Sequence, residues 1–131
     1  MKILVVDDEV SLAENVAEIL AGAGHETDIA TSAEDALVHL RMDTAGADVL
    51  LTDYRLPGAS GADLIRAARS LGIRIPALVI TAYAGDDVVD SAISAGAAGV
   101  LTKPLDFEWV LSWLASVDDA GPSPIDRGSS G

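Results

Sequence analysis

Three apolar runs of strand length in this chain each stop at a charged residue, and that recurrence limits the fold more than any other feature. Lys2-Ile3-Leu4-Val5-Val6 runs into Asp7-Asp8, Val49-Leu50-Leu51-Thr52 into Asp53, and Val100-Leu101-Thr102 into Lys103-Pro104. Continuous apolar runs of this length suit strands buried on both faces, as in parallel sheets. Laid side by side, such strands bring three carboxylates and one ammonium to the sheet edge where open α/β folds bind ligands. Acids packed around one lysine repel each other and invite a divalent cation, and with it a phosphoryl group.

Strand and helix patterns alternate five times. A strand over 3–7 precedes a helix over 10–22, with Leu12, Val16, Ile19 and Leu20 on one face. Residues 25–30 read as an edge strand, and Ser32 as the N-cap of a helix carrying Ala33, Ala36, Leu37 and Leu40. Strand 3 covers 47–52. Pro57, Gly58 and Gly61 form the next loop, before a helix with Leu64, Ile65, Ala68 and Leu71 turned inward. Strand 4 spans 77–81, helix 4 about 85–96 with Val88, Val89, Ala92 and Ile93, and strand 5 98–102. Asp106 caps the last helix, with Phe107, Val110, Leu111 and Leu114 inward. Strict alternation with short connections predicts an α/β fold: a flavodoxin-like (βα)5, doubly wound, five-stranded parallel sheet of order 2-1-3-4-5. Its switch point falls between strands 1 and 3, where Asp7, Asp8 and Asp53 stand.

At 131 residues, half of them apolar, the chain has the size of one domain. We place that domain at 1–118, and a disordered tail or truncated linker rich in Pro, Gly and Ser at 119–131. A formal net charge of −13 disfavours direct binding of nucleic acid or anionic membrane. With no cysteine, neither disulfides nor thiolate metal sites can form. No apolar run approaches a membrane span, and strand 1 begins too early for a signal peptide, so the expectation is a cytoplasmic protein.

With these residues placed, residues 2–117 resemble the receiver domain of bacterial two-component response regulators. Asp7-Asp8 resembles the family's acidic metal-binding pair. Asp53, followed by Tyr54-Arg55-Leu56-Pro57-Gly58, resembles its phosphoacceptor and the loop after it. Thr81, in Val79-Ile80-Thr81-Ala82, resembles the hydroxyl residue that follows the phosphoryl group, and Lys103-Pro104 the lysine and its proline. Singly each is weak, since acids also cap helices and Thr81 suits any strand. Together, in order and each at a strand end, they are specific.

The resemblance implies a signalling phosphoacceptor rather than a turnover enzyme. Asp53 would take a phosphoryl group from a sensor histidine kinase or a histidine phosphotransfer protein. Mg²⁺, with Mn²⁺ as the alternative ion, would be held by Asp8, Asp53 and the Arg55 carbonyl, with Asp7 acting through a bound water. Lys103 and Thr81 would contact phosphoryl oxygens. The chain departs from the family at Val100, where many receivers carry Tyr or Phe. Any response to phosphorylation would then travel through the loop from Thr81 to Asp86, beside Tyr83, to the face made by helix 4, strand 5 and helix 5. Trp109 and Trp113 either cover the sheet edge or give that face a partner or homodimer surface. A haloacid-dehalogenase-like phosphatase would want an Asp-x-Asp pattern on strand 1, and a dinucleotide binder Gly-x-Gly-x-x-Gly after it; neither is present.

Overall fold

The computed structural model describes residues 1–42 and 46–120. Five parallel strands form one sheet: β1 (Lys2–Val6), β2 (Glu26–Ala30), β3 (Val49–Asp53), β4 (Ala77–Thr81) and β5 (Gly99–Thr102). Their spatial order is β2-β1-β3-β4-β5, as expected. Between and after them run α1 (Val10–Gly22), α2 (Ala33–Met42), α3 (Gly61–Ser70), α4 (Asp86–Ala95) and α5 (Phe107–Ala120). Strand 1 ends one residue earlier than expected and strand 3 one later, so Asp7 lies just beyond its strand and Asp53 closes its own. Helix α5 continues to Ala120, past the boundary drawn at 118. Residues 121–131 of the expected tail lie outside the described residues.

The strands alternate between two apolar layers, because successive side chains point to opposite faces. Leu4, Val6, Leu50 and Val79 pack with Ala36 of α2, Leu64 and Ile65 of α3 and Ala92 of α4. Ile3, Val5, Leu51, Leu78 and Ile80 pack with Leu20 of α1 and Val110 and Leu114 of α5. Two helices therefore cover one face and three the other.

Helix starts follow local chemistry. The Ser32 hydroxyl accepts the Asp35 amide at 3.0 Å, and Asp106 accepts the Trp109 amide at 3.1 Å, both as anticipated. Ser60 and Asp63 add a reciprocal capping box at the start of α3. That box corrects the reading of Gly61 as a loop residue: it is the first residue of the helix. A two-stranded ribbon, Arg55–Leu56 against Ala59–Ser60, fills the turn before it. Two arginines of α3 reach α4 and its C-cap: Arg66 donates to Ser91, and Arg69 donates to the carbonyl of the C-cap Gly96 at 3.2 Å.

Three expected core residues face water. Leu12 and Ile93 lie at the margins of their apolar stripes, since a stripe drawn from periodicity alone is wider than the contact each helix makes, and Leu71 is the C-cap beyond the last turn of α3. The contrast is measurable by urea unfolding. Leu64→Ala, at a fully buried position, should cost about 2–5 kcal/mol. Leu71→Ala, 51% exposed, should stay within about 0.5 kcal/mol.

Candidate functional site

The site is built at the carboxyl ends of β1, β3, β4 and β5. Asp7 is buried there, its Oδ1 accepting the Glu9 amide at 3.0 Å and its own amide donating to the Ala30 carbonyl at 3.0 Å. Asp8 is exposed beside it, and Asp53 is partly buried. These three carboxylates each offer an oxygen, all within 4.8 Å of one another. Among the described residues this is the one cluster of its kind.

The lysine completes the group. Lys103 Nζ stands 3.3 Å from Asp53 Oδ1 and 3.7 Å from Asp7 Oδ2. The Lys103 amide donates to the Thr81 carbonyl at 2.8 Å, which ties the start of its loop to β4. The peptide bond between Lys103 and Pro104 is cis. Burial raises the Asp53 carboxyl above its ordinary range; Lys103 pulls it down, while Asp7 and Asp8 push it up, and the upward influences win. Burial alone would depress the Lys103 ammonium, but Asp53 and Asp7 outweigh it and hold it above its usual value. One ammonium thus offsets part of the repulsion among three acids and leaves an excess of negative charge. The donor set, hard carboxylate oxygens carrying that excess of negative charge, fits a hard divalent cation such as Mg²⁺.

Asp8, Asp53, Arg55, Thr81, Tyr83 and Lys103 line one open cleft of about 790 Å³. Thr81 is buried at its floor. Its hydroxyl donates to the Tyr83 carbonyl at 3.1 Å and accepts from the Tyr83 amide at 3.3 Å, so in this state it serves the turn into α4. Arg55 and Tyr83 are exposed at the rim. Val100 lies away from the cleft, paired with Val79 and packed on the α2–α4 side of the core.

Gly61 is the neighbour that sequence reading missed. A Cβ at this position would stand 2.5 Å from the Asp53 carbonyl oxygen and 3.0 Å from Thr52 Cγ2. The available signal was the Ser60-Gly61-Ala62-Asp63 pattern, which starts a helix at residue 61; the close approach of that helix to the Asp53 backbone is a matter of tertiary packing.

Comparison with known proteins agrees with this arrangement. The sequence profile of the response regulator receiver domain matches residues 3–114. A response regulator receiver protein of Anaeromyxobacter sp. is 41% identical over 102 residues, covering 78% of this chain and 42% of that protein. The two-component response regulator PhoP of Pseudomonas aeruginosa is 39% identical over 108 residues, covering 82% of this chain and 47% of its own. The chain therefore spans less than half the length of these two curated relatives. A CheY-like response regulator receiver domain protein of Methanospirillum hungatei shares the fold, with a TM-score of 0.81 at 24% identity over 99% of this chain and 98% of that one. Chemotaxis protein CheY4 of Vibrio cholerae superposes with a TM-score of 0.80 at 29% identity, covering 88% of this chain and 97% of that one. With nearly the whole described chain matched, and the acids and lysine gathered at one sheet edge, this chain belongs to the response regulator receiver domain family of two-component systems.

Proposed function

We propose that this receiver domain accepts a phosphoryl group onto Asp53 and switches a partner or output by doing so. The donor is the phosphohistidine of a sensor histidine kinase or a histidine phosphotransfer protein. The observation that carries this reading is the placement of Lys103 Nζ against both Asp53 and Asp7 where the acids converge. An Asp53 oxygen attacks phosphorus, the phosphorus–nitrogen bond breaks, and the imidazole leaves with the electron pair. The product is an acyl phosphate.

Lys103 neutralises charge on one phosphoryl oxygen, and Thr81 donates to another. Asp8, Asp53 and the Arg55 carbonyl are the ligands that would hold Mg²⁺, with Asp7 acting through water; when bound, the ion neutralises phosphoryl oxygens and offsets the repulsion among the carboxylates. Donating to a phosphoryl oxygen takes the Thr81 proton from the Tyr83 carbonyl. That exchange is the route by which the loop from Thr81 to Asp86 carries the signal towards α4, without an aromatic residue at position 100. Exposed Ile93 on α4 and Trp109 on α5 give the face of α4, β5 and α5 the apolar character that a partner or second copy would cover. The setting is cytoplasmic, and no described helix is long and apolar enough to cross a membrane.

The primary test is intact mass after incubation with Mg²⁺ and a small acyl-phosphate donor. The wild type should gain one phosphoryl group and Asp53→Asn none; a gain in the variant would overturn the assignment.

Mg²⁺ should raise the melting temperature relative to chelator. A cation at a hundred times its Kd stabilises by roughly 2.7 kcal/mol, or on the order of 10 °C for a domain of this size. Asp8→Ala should lose most of that shift.

The burial of the Asp53 carboxyl beside other acids makes a further prediction in chelator. Since the Asp53 carboxyl titrates above its unfolded value, ionising it costs the native state stability as pH rises through the carboxylate range. Asp53→Asn should therefore melt above the wild type near neutrality, with the gap closing in acid.

A further inference from the structure

We propose that Thr52 and Gly61 are positioning residues for Asp53: working from the opposite face of the sheet, they fix the main chain that carries the acceptor carboxylate. The proposal rests on the reading of Asp53 as the phosphoryl acceptor and adds what aims it.

Thr52 is fully buried in a row of the sheet where its neighbours are Val6 and Val79. Valine would match its shape there, and a buried hydroxyl is costly unless it is hydrogen-bonded. Its Oγ1 donates to the carbonyl oxygen of Asp53 at 3.0 Å.

Gly61 presses on the same oxygen. Its φ lies outside the left-handed region, so the position needs glycine for space and not for conformation. A Cβ would meet the Asp53 carbonyl at 2.5 Å and Thr52 Oγ1 at 3.2 Å. Both atoms belong to parts of the core that cannot swing aside as the tip of a surface side chain can.

The other end of the Asp53–Tyr54 peptide and the start of the next are held as firmly. The Tyr54 amide donates to the Ile80 carbonyl at 2.7 Å, and the Gly61 amide donates to the Tyr54 carbonyl at 2.7 Å. Alternation along β3 puts Leu50 and Thr52 towards α3, and Leu51 towards α1 and α5 with Asp53 in the same phase. The carboxylate is thus aimed at Lys103 on one face by contacts made on the other. A misplacement of about 1 Å can cost on the order of a hundredfold in rate, so a shifted carbonyl that moves the nucleophile slows phosphoryl transfer.

The test compares Thr52→Val, Thr52→Ser and Gly61→Ala with the native chain. One readout is amide hydrogen exchange at Tyr54 and Gly61 without Mg²⁺. The other is the rate of phosphorylation by a small acyl phosphate at saturating Mg²⁺. In Thr52→Val and Gly61→Ala we expect faster exchange at those two amides and phosphorylation slowed about five- to tenfold, the worth of one neutral hydrogen bond. Thr52→Ser keeps the donor and should stay within about twofold of native in both. A native phosphorylation rate in Thr52→Val, or an equal loss in Thr52→Ser, would overturn the proposal. Should Gly61→Ala not fold, the valine–serine pair at position 52 decides alone. If the native chain takes up no phosphoryl group, the reading of Asp53 falls separately. The exchange arm then judges the positioning, and unchanged exchange in Thr52→Val refutes it.

Discussion

Strand register governs everything at the cleft. Val6 stands opposite Thr52, Thr52 opposite Val79, and Val79 opposite Val100. One step on, Asp7 and Asp53 continue the row that includes Ile80 and Leu101, and their side chains fall on the same face. Two further steps along β5 bring Lys103 back to that face. A slip of one residue in β3 would turn Asp53 towards α3 and bury its charge among aliphatic side chains. The apolar rows below the cleft therefore specify the chemistry above them, because only one register buries them on both faces.

That arrangement sets stability against function within a few ångströms. Burial, with neighbouring carboxylates that a single ammonium only partly offsets, strains the native state, and Asp53 shows it by holding its proton more tightly than a free aspartate. The strain is confined to the ends of strands whose middles are among the best-packed parts of the molecule, with Leu50, Leu51, Leu78 and Val79 essentially sealed from water. Marginal domains tolerate such a site only where the cost is local and the core beneath it is complete.

Much of this was legible from sequence because both signals are local. Uniformly apolar runs identify buried parallel strands, and the charged residue ending each run marks the functional edge. What escaped detection depends on distant parts of the chain. Gly61 looked like a turn glycine beside Pro57 and Gly58, and only the packing of α3 on β3 shows why its side chain must be absent. The exposure of Leu12 and Ile93 depends on how wide a contact each helix makes, and that of Leu71 on where α3 ends, which periodicity does not encode. The Thr81 hydroxyl was expected to face a phosphoryl group, and the structure shows the Tyr83 main chain occupying it first.

The two tryptophans of the chain stand on one helix, with rings stacked 6.4 Å apart and 8° from parallel. Trp113 packs against the α1–α5 side of the core, and Trp109 lies over it, half open to solvent. Light absorbed selectively by indole is therefore emitted from α5 and nowhere else. Both tyrosines, Tyr54 and Tyr83, border the cleft. The molecule thus carries two natural optical labels, phenols at the mouth of the site and an indole pair on the last helix, and energy transfer from the first to the second reads the distance between them without any added dye.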